Sequence, residues 1–244
     1  MKFKSGIPNF ITSLNLISGI VSIIFSFYGE FDLALLCIVF SAIFDFFDGF
    51  SARLLGAYSD IGKELDSLSD LVSFGLAPSL LLYNYMVTNV CGNSWSIPAL
   101  ITLYYAVQAA FRLAKFNVDD SQTHTFIGLP TPAAAGFLGS MILVALHNNV
   151  FALAINNPYY LPIAAIIIAE LTISKVPMFS LKLTSFKWAE NKNLYSYVIH
   201  LVIVVIILFA LGLHWSIPIL YLFTSYICWN IITNIIYLLK KINK

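Results

Sequence analysis

Eight apolar stretches, each close to the length that crosses a bilayer, follow one another along this chain of 244 residues: 8–28, 33–54, 66–88, 97–116, 131–149, 159–178, 194–213 and 215–239. A helix needs about 20 such residues to span roughly 30 Å of hydrocarbon. The fifth and sixth stretches have the least sharp boundaries, because "HNNVFALAINNPYY" between them reads equally as a loop or a partly inserted segment. With 59% hydrophobic and 10% charged residues and a mean hydropathy of +0.86, the chain lies outside the usual globular range. The expected fold is all-α, a polytopic membrane helical bundle of about eight transmembrane helices. No polar stretch is long enough for a separate soluble domain, so residues 1–244 are read as one membrane domain and the chemistry must lie within or beside the bundle.

Basic residues orient this bundle, because loops retained in the cytoplasm keep Lys and Arg. With the N-terminus inside, Lys2, Lys4, Arg53, Lys63, Arg112, Lys115, Lys175, Lys182, Lys187, Lys192, Lys240, Lys241 and Lys244 all fall at cytoplasmic ends, which accounts for all 13. The opposite loops carry Glu30, Asp32, "TNVCGNS", residues 148–157 and "GLHWS", with no positive charge. Both termini are expected in the cytoplasm. A net charge of +1 points to no nucleic-acid partner. A cleaved signal peptide is disfavoured, since no small-residue cleavage site follows the first apolar run and that run contains Asn9, Thr12 and Asn15. Cys37, Cys91 and Cys228 show no CxxC spacing and are read as packing residues.

Charge is concentrated in one place, "FDFFDGFSARLLGAYSDIGKELDSLSD" at 44–70. If the second span continues as a helix through Arg53, positions i, i+3, i+4 and i+7 share a face, so Asp45, Asp48, Gly49 and Ala52 form one stripe. In the next span Gly62, Asp66 and Asp70 recur every fourth residue and stack in the same way. Two adjacent antiparallel helices thus bring two carboxylates each toward the cytoplasmic surface. Carboxylates about 4 Å apart repel by roughly 4 kcal/mol at an effective dielectric of 20, so four of them call for cations. With no His or Cys nearby, the ligands are hard oxygens, suited to Mg2+, Mn2+ or Ca2+ and unsuited to zinc. Four acids suggest two metals, an arrangement that grips phosphates, and Arg53 adds a bidentate donor for a pyrophosphate. Gly49, Ala52 and Gly62 leave room for a bulky ligand. Asp60 and Glu64 fall off the stripes and read as solvated charges.

Two plainer readings compete. Interfacial charges could simply be solvated, but acids at membrane depth cost up to about 2.5 to 3.5 kcal/mol each and mark function by default. A cation transporter would also use intramembrane acids, yet transport favours acids spread through the membrane depth, and here they gather on one side with Arg53.

The spacing Asp45-x2-Asp48-Gly49-x2-Ala52-Arg53-x8-Gly62-x3-Asp66-x3-Asp70 resembles the signature of the CDP-alcohol phosphotransferases, the class I CDP-alcohol phosphatidyltransferase family, without a departure. That resemblance implies membrane enzymes that move a phosphatidyl or similar group from a CDP-linked donor to an alcohol and release CMP. It implies that Asp45, Asp48, Asp66 and Asp70 hold two divalent cations, Mg2+ or Mn2+, and that Asp70 is also the catalytic base. Gly49, Arg53 and Ser59 then look like donor contacts, with Ala52 on the same stripe and Gly62 giving the cytidine room. "IPNFITSLN" resembles the family segment that touches the donor through Asn9 and Thr12, for which polar packing between helices is the structural alternative.

"GKELDSLSDLVSFGLAP", "RLAKFNV" and "FIGLPTPAAAG" resemble the phosphatidylserine synthase branch, the CDP-diacylglycerol:serine O-phosphatidyltransferases of phospholipid biosynthesis. The likeness covers roughly residues 5–140, the expected catalytic core, leaving 141–244 as additional transmembrane helices; "SKVPMFSLK" at 174–182 is a weaker echo. It implies CDP-diacylglycerol and L-serine as substrates, with glycerol 3-phosphate, inositol phosphate or choline as alternative acceptors. A homodimer in the cytoplasmic membrane, its active site at the cytoplasmic face, is implied as well. An amino acid acceptor brings a carboxylate, which Arg112 and the amide of Asn117 are placed to receive; as an alternative, Arg112 and Lys115 are positive-inside anchors. Ser69 is read as packing, and Glu170 receives no role.

Overall fold

A computed structural model describes residues 2–118, 126–178 and 192–242. Lys182, Lys187 and Lys244 of the basic set, and the end of the 174–182 stretch, lie outside the described residues. The first helix, α1 (Lys2–Phe27), turns through Gly29, whose φ of +79° suits a residue without Cβ, into α2 (Phe31–Leu55). The buried positions of α1 are Pro8, Thr12, Asn15, Gly19, Ser22 and Ser26, a stripe at helical spacing made of small and polar residues. Its outward positions include Ile17, Ile20 and Ile24. This inverted amphipathicity suits lipid, where helix contacts rest on close packing and hydrogen bonds. Ser18 donates to the Cys37 carbonyl at 2.8 Å, Ser22 to that of Ala34 at 2.7 Å, and Ser41 of α2 to that of Asn15 at 3.1 Å.

Helix α2 stops at Gly56, which adopts the left-handed conformation (φ 57°). Ser59 then caps α3 (Asp60–Asp70), its hydroxyl accepting the Gly62 amide at 3.0 Å. The helix therefore begins six residues before the apolar stretch read from 66, and only residues 56–59 separate the two helices that carry the acidic stripes. A π-helical segment (Leu71–Leu76) carries α3 into α4 (Ala77–Tyr85), and a second (Met86–Val90) ends the span. There follow α5 (Ile97–Ile101), α6 (Tyr104–Val118), α7 (Thr131–His147), α8 (Asn149–Ile155), α9 (Tyr160–Ile173), α10 (Lys192–Ala210) and α11 (Ser216–Ile242). Strands β1 (Phe126–Ile127) and β2 (Pro177–Met178) form a small antiparallel pair that ties the segment before α7 to the one after α9.

Among the described residues, five helical stretches are long and apolar enough to cross a membrane. A sixth results if α8 and α9, which meet at 77°, count as one broken span, and α7 and α10 are apolar but shorter. The protein is an all-α membrane protein. Helix α7 sits at its centre against α2, α4, α9 and α11; Gly139 admits Leu35 of α2, and Gly136 admits the ring of Phe223 of α11. Phe74, Leu81, Tyr105, Leu138 and Ile142 fill the core around it. Glu170 on α9 accepts a hydrogen bond from the Tyr104 hydroxyl of α6, which Gln108 also meets, so this acid in an apolar helix has polar company. All three cysteines are free.

Candidate active site

The acids continue the inward stripes of their helices. On α2 the buried face runs Ala34, Ile38 and Ser41 and reaches Asp48 at the same spacing, with Asp45 between them half-buried. On α3 the inward positions are Asp66, Ser69 and Asp70. One carboxylate oxygen from each of Asp45, Asp48 and Asp66 lies within 4.8 Å of the others. Asp70 stands beside this trio, close enough to feel all three charges. Asn15 of α1 donates its amide to Asp70 Oδ1 at 3.2 Å. Three hard-oxygen ligands at this separation suit a divalent cation. Asp48 Oδ2 is moreover buried with no hydrogen-bond partner among the described residues, an acceptor that a bound cation would satisfy.

A cleft of about 460 Å³ opens against these acids between the start of α1, the end of α2 and the first turns of α3. Asn9, Thr12, Gly49, Ala52, Arg53, Ser59 and Gly62, all seven residues expected to contact a donor, line it together with Asp48 and Asp66. Gly49 faces open space, the nearest atom to a Cβ there being Arg53 Nη1 at 3.8 Å. Gly62 is different: a Cβ would lie 2.9 Å from Ser59 Oγ and 3.0 Å from Asn9 Oδ1, so its bareness serves the approach of α1 to α3. Asp60 and Lys63 stand exposed at the rim.

Arg112 of α6 does not line this cleft. It faces a second cavity of about 330 Å³ with Lys115, Thr172, Ser174 and Lys175, a lining that among the described residues carries cations and no acid. Arg112 is buried; its Nη1 lies 3.5 Å from Thr131 Oγ1, and its Nε has no hydrogen-bond partner among the described residues. Asp70 lies within electrostatic reach of the guanidinium. Asn117 lines neither space. Its amide donates to Ser67 Oγ at 2.8 Å and its carbonyl accepts Lys63 Nζ at 3.1 Å, joining α6 to α3.

The family model described as CDP-alcohol phosphatidyltransferase matches residues 5–174. The chain belongs to this family. Among the similar curated proteins, the CDP-diacylglycerol--serine O-phosphatidyltransferase of Bacillus subtilis is 38% identical over 190 residues, covering 78% of this chain and 96% of that protein. Its counterpart from Methanocaldococcus jannaschii is 37% identical over 172 residues, 70% of this chain and 75% of the relative. The one from Helicobacter pylori J99 is 38% identical over 144 residues, 58% of each.

Within this CDP-alcohol phosphatidyltransferase, the residue that the site reading overlooked is Asn15. It is fully buried, orients Asp70, and gives its carbonyl to Ser41 and Ser73. A signal was present, since Asn15 extends the Asn9–Thr12 face by one more step of three. Pro8 of α1 also lines the cleft, and so do Ala57 and Tyr58, which carried no comparable signal because they join it through the bend after α2. Ser69, read as packing, is buried and donates to the Thr12 carbonyl at 3.3 Å.

Proposed function

We propose that this protein transfers the phosphatidyl group of CDP-diacylglycerol to the hydroxyl of L-serine, forming phosphatidylserine and releasing CMP. The observation that carries this reading is the convergence of Asp45, Asp48 and Asp66 at a cleft lined by Arg53. The acceptor follows from relatives named for serine that align over most of this chain. Asp45, Asp48, Asp66 and Asp70 would hold the metals of this site, Mg2+ or Mn2+. When bound, such cations neutralise the donor pyrophosphate and the charge that develops on the leaving CMP.

The chain's own residues then divide the work. Arg53 pairs with the pyrophosphate as a bidentate donor, Asn9, Thr12 and Ser59 offer polar contacts to the cytidine end, and Gly49, Ala52 and Gly62 keep the wall low. Asp70, oriented by Asn15, accepts the proton of the serine hydroxyl. The serine oxygen forms a bond to the phosphorus that carries diacylglycerol, the bond from that phosphorus to CMP breaks, and CMP departs. Arg112 receives the serine carboxylate, and Asn117 contributes from the seam where it meets Lys63 and Ser67.

The eight apolar segments act as eight spans with both termini and the site at the cytoplasmic face of the cell membrane, supported by the sidedness of the basic residues. Residues 5–140 form the catalytic core of one membrane domain, 141–244 add further helices, and the protein works as a homodimer. Incubation with CDP-diacylglycerol, Mg2+ or Mn2+ and a panel of labelled acceptors tests the reaction. Labelled phosphatidylserine is expected; label from glycerol 3-phosphate, inositol phosphate or choline in its place would overturn the serine assignment, and ion flux without CMP release would favour a transporter.

A further inference from the structure

Residues 126–131 lead into α7 as a strap laid against the end of α9, and both Ile127 of the strap and Thr172 of α9 line the cationic cavity that Arg112 faces. Phe126 and Ile127 pair with Met178 and Pro177, the Gly128 amide donates to the Val176 carbonyl at 2.9 Å, and the Leu129 amide donates to that of Leu171 at 3.0 Å. Gly128, with φ of +78°, approaches α9 so closely that a Cβ would lie 2.2 Å from the Thr172 carbonyl oxygen. Pro130 and Pro132 flank Thr131 and fix their own φ angles, so the strap delivers Thr131 to the first turn of α7 with little freedom left.

Thr131 is 1% exposed and seats on α6 at two points. Its hydroxyl oxygen accepts Arg112 Nη1 at 3.5 Å, and its carbonyl accepts the Tyr105 hydroxyl at 3.4 Å; Tyr105 and Arg112, at i and i+7, share a face of α6. A buried guanidinium needs acceptors to offset its lost hydration. Among the described residues Arg112 has the Thr131 oxygen, while its buried Nε has no partner and is left for a ligand. Thr131 itself does not line the cavity, so it reaches a ligand there only through Arg112.

We propose that Thr131 is a positioning residue for the acceptor: its hydroxyl oxygen anchors one edge of the Arg112 guanidinium, so that the N–H groups left free are presented to a carboxylate in the cavity lined by Arg112, Lys115 and Lys175. The inference deepens, and rests on, the reading of Arg112 as the receiver of the serine carboxylate. A bidentate pair with a carboxylate tolerates little rotation of the planar guanidinium, and the strap limits that rotation by tying the end of α9 to α6 through Thr131. Thr131 touches no reacting atom.

Steady-state kinetics of the full-length protein in mixed micelles test it, with CDP-diacylglycerol and serine varied separately. Thr131→Val keeps the branched shape and removes the oxygen, and the serine KM should rise about three- to tenfold, the range for one lost hydrogen bond. The KM for CDP-diacylglycerol and kcat should not move. Thr131→Ser returns the oxygen and should return the serine KM to its wild-type value, whereas Thr131→Ala should resemble Thr131→Val; this second pair carries the comparison should Thr131→Val fail to fold. Ser140→Ala removes a buried hydroxyl elsewhere on α7, bonded to the Phe137 carbonyl at 2.7 Å, and should leave the serine KM unchanged. In an Arg112→Lys background, itself raised in serine KM, Thr131→Val should add nothing. A wild-type serine KM in Thr131→Val or Thr131→Ala, a Thr131→Ser variant as impaired as either, an equal shift in both KM values, or full additivity with Arg112→Lys each overturns the inference. If Arg112→Lys raises the serine KM and Thr131→Val does not, only the inference falls; if Arg112→Lys leaves the serine KM unchanged, or the unaltered protein releases no CMP with serine, the acceptor reading falls and takes the inference with it.

Discussion

Asp45 and Asp70 are chemically identical side chains with different surroundings. Asp45 belongs to the trio within 4.8 Å, whereas Asp70 is tied to Asn15. Asp45→Asn should therefore weaken metal-dependent binding of CDP-diacylglycerol, while Asp70→Asn should still bind the donor and lose about 10²- to 10⁴-fold in turnover, the usual contribution of a general base. Donor-binding titrations beside CMP-release assays separate the two, and near-normal turnover in Asp70→Asn would refute the base assignment. Asn15→Leu keeps the branched shape and removes the amide. A fall of about tenfold in kcat with an unchanged donor KM is expected for one hydrogen bond to a charged group. The acids were legible in the sequence because their spacing matches the helical period. The role of Asn15 became specific only when folding brought Asp70 to its side chain across 55 positions of sequence.

The α1–α3 contact decides how well the site is assembled. Gly19 meets the π-helical turn that follows Asp70 so closely that a Cβ would lie 2.3 Å from Ser73 Oγ and 2.8 Å from Ser73 Cα. The second of these is backbone and cannot rotate away. Gly19→Ala should force the two helices apart, destabilise the fold by about 1–3 kcal/mol and reduce activity by separating Asn15 from Asp70. Gly6→Ala meets nothing within 4 Å and should be silent in the same thermal-unfolding and activity measurements; equal behaviour of the two variants would discount the close contact. Irregular π-helical turns carry no composition signature, so the re-aiming of α3 after Asp70 could not be read beforehand. The early start of α3 could have been, from Ser59 before Asp60.

For the molecule as a whole, sidedness and metal dependence are the testable properties. In a background lacking Cys37, Cys91 and Cys228, single cysteines at 55–62 should react with a membrane-impermeant reagent from the cytoplasmic side and those at 90–95 from the opposite side. The reverse pattern would overturn the orientation drawn from the basic residues. Chelation with EDTA should abolish CMP release, and Mg2+ or Mn2+ should restore it; activity that survives thorough chelation would count against the carboxylate cluster as a cation site. Charge sidedness is written along the chain and needs no contact to be seen, whereas the length of the fifth and sixth spans depends on where α8 and α9 bend.

Local periodicity and composition determined the membrane class, the helical form and the convergence of the acids beside small residues, because each of these depends on spacing within one or two helices, while the donor contacts were expected from the family resemblance. Tertiary structure alone decided which residues stand behind them. Asn15 meets Asp70, Gly19 meets Ser73, and Arg112 lies apart from the cleft in a cavity that it lines with Thr172 and Lys175. The physical reason is that in lipid apolar burial does not sort helix against helix; the bundle is selected by close approach at small residues and by hydrogen bonds between distant segments. Such pairings are set by where whole helices lie against one another, and no stretch of sequence carries that information by itself.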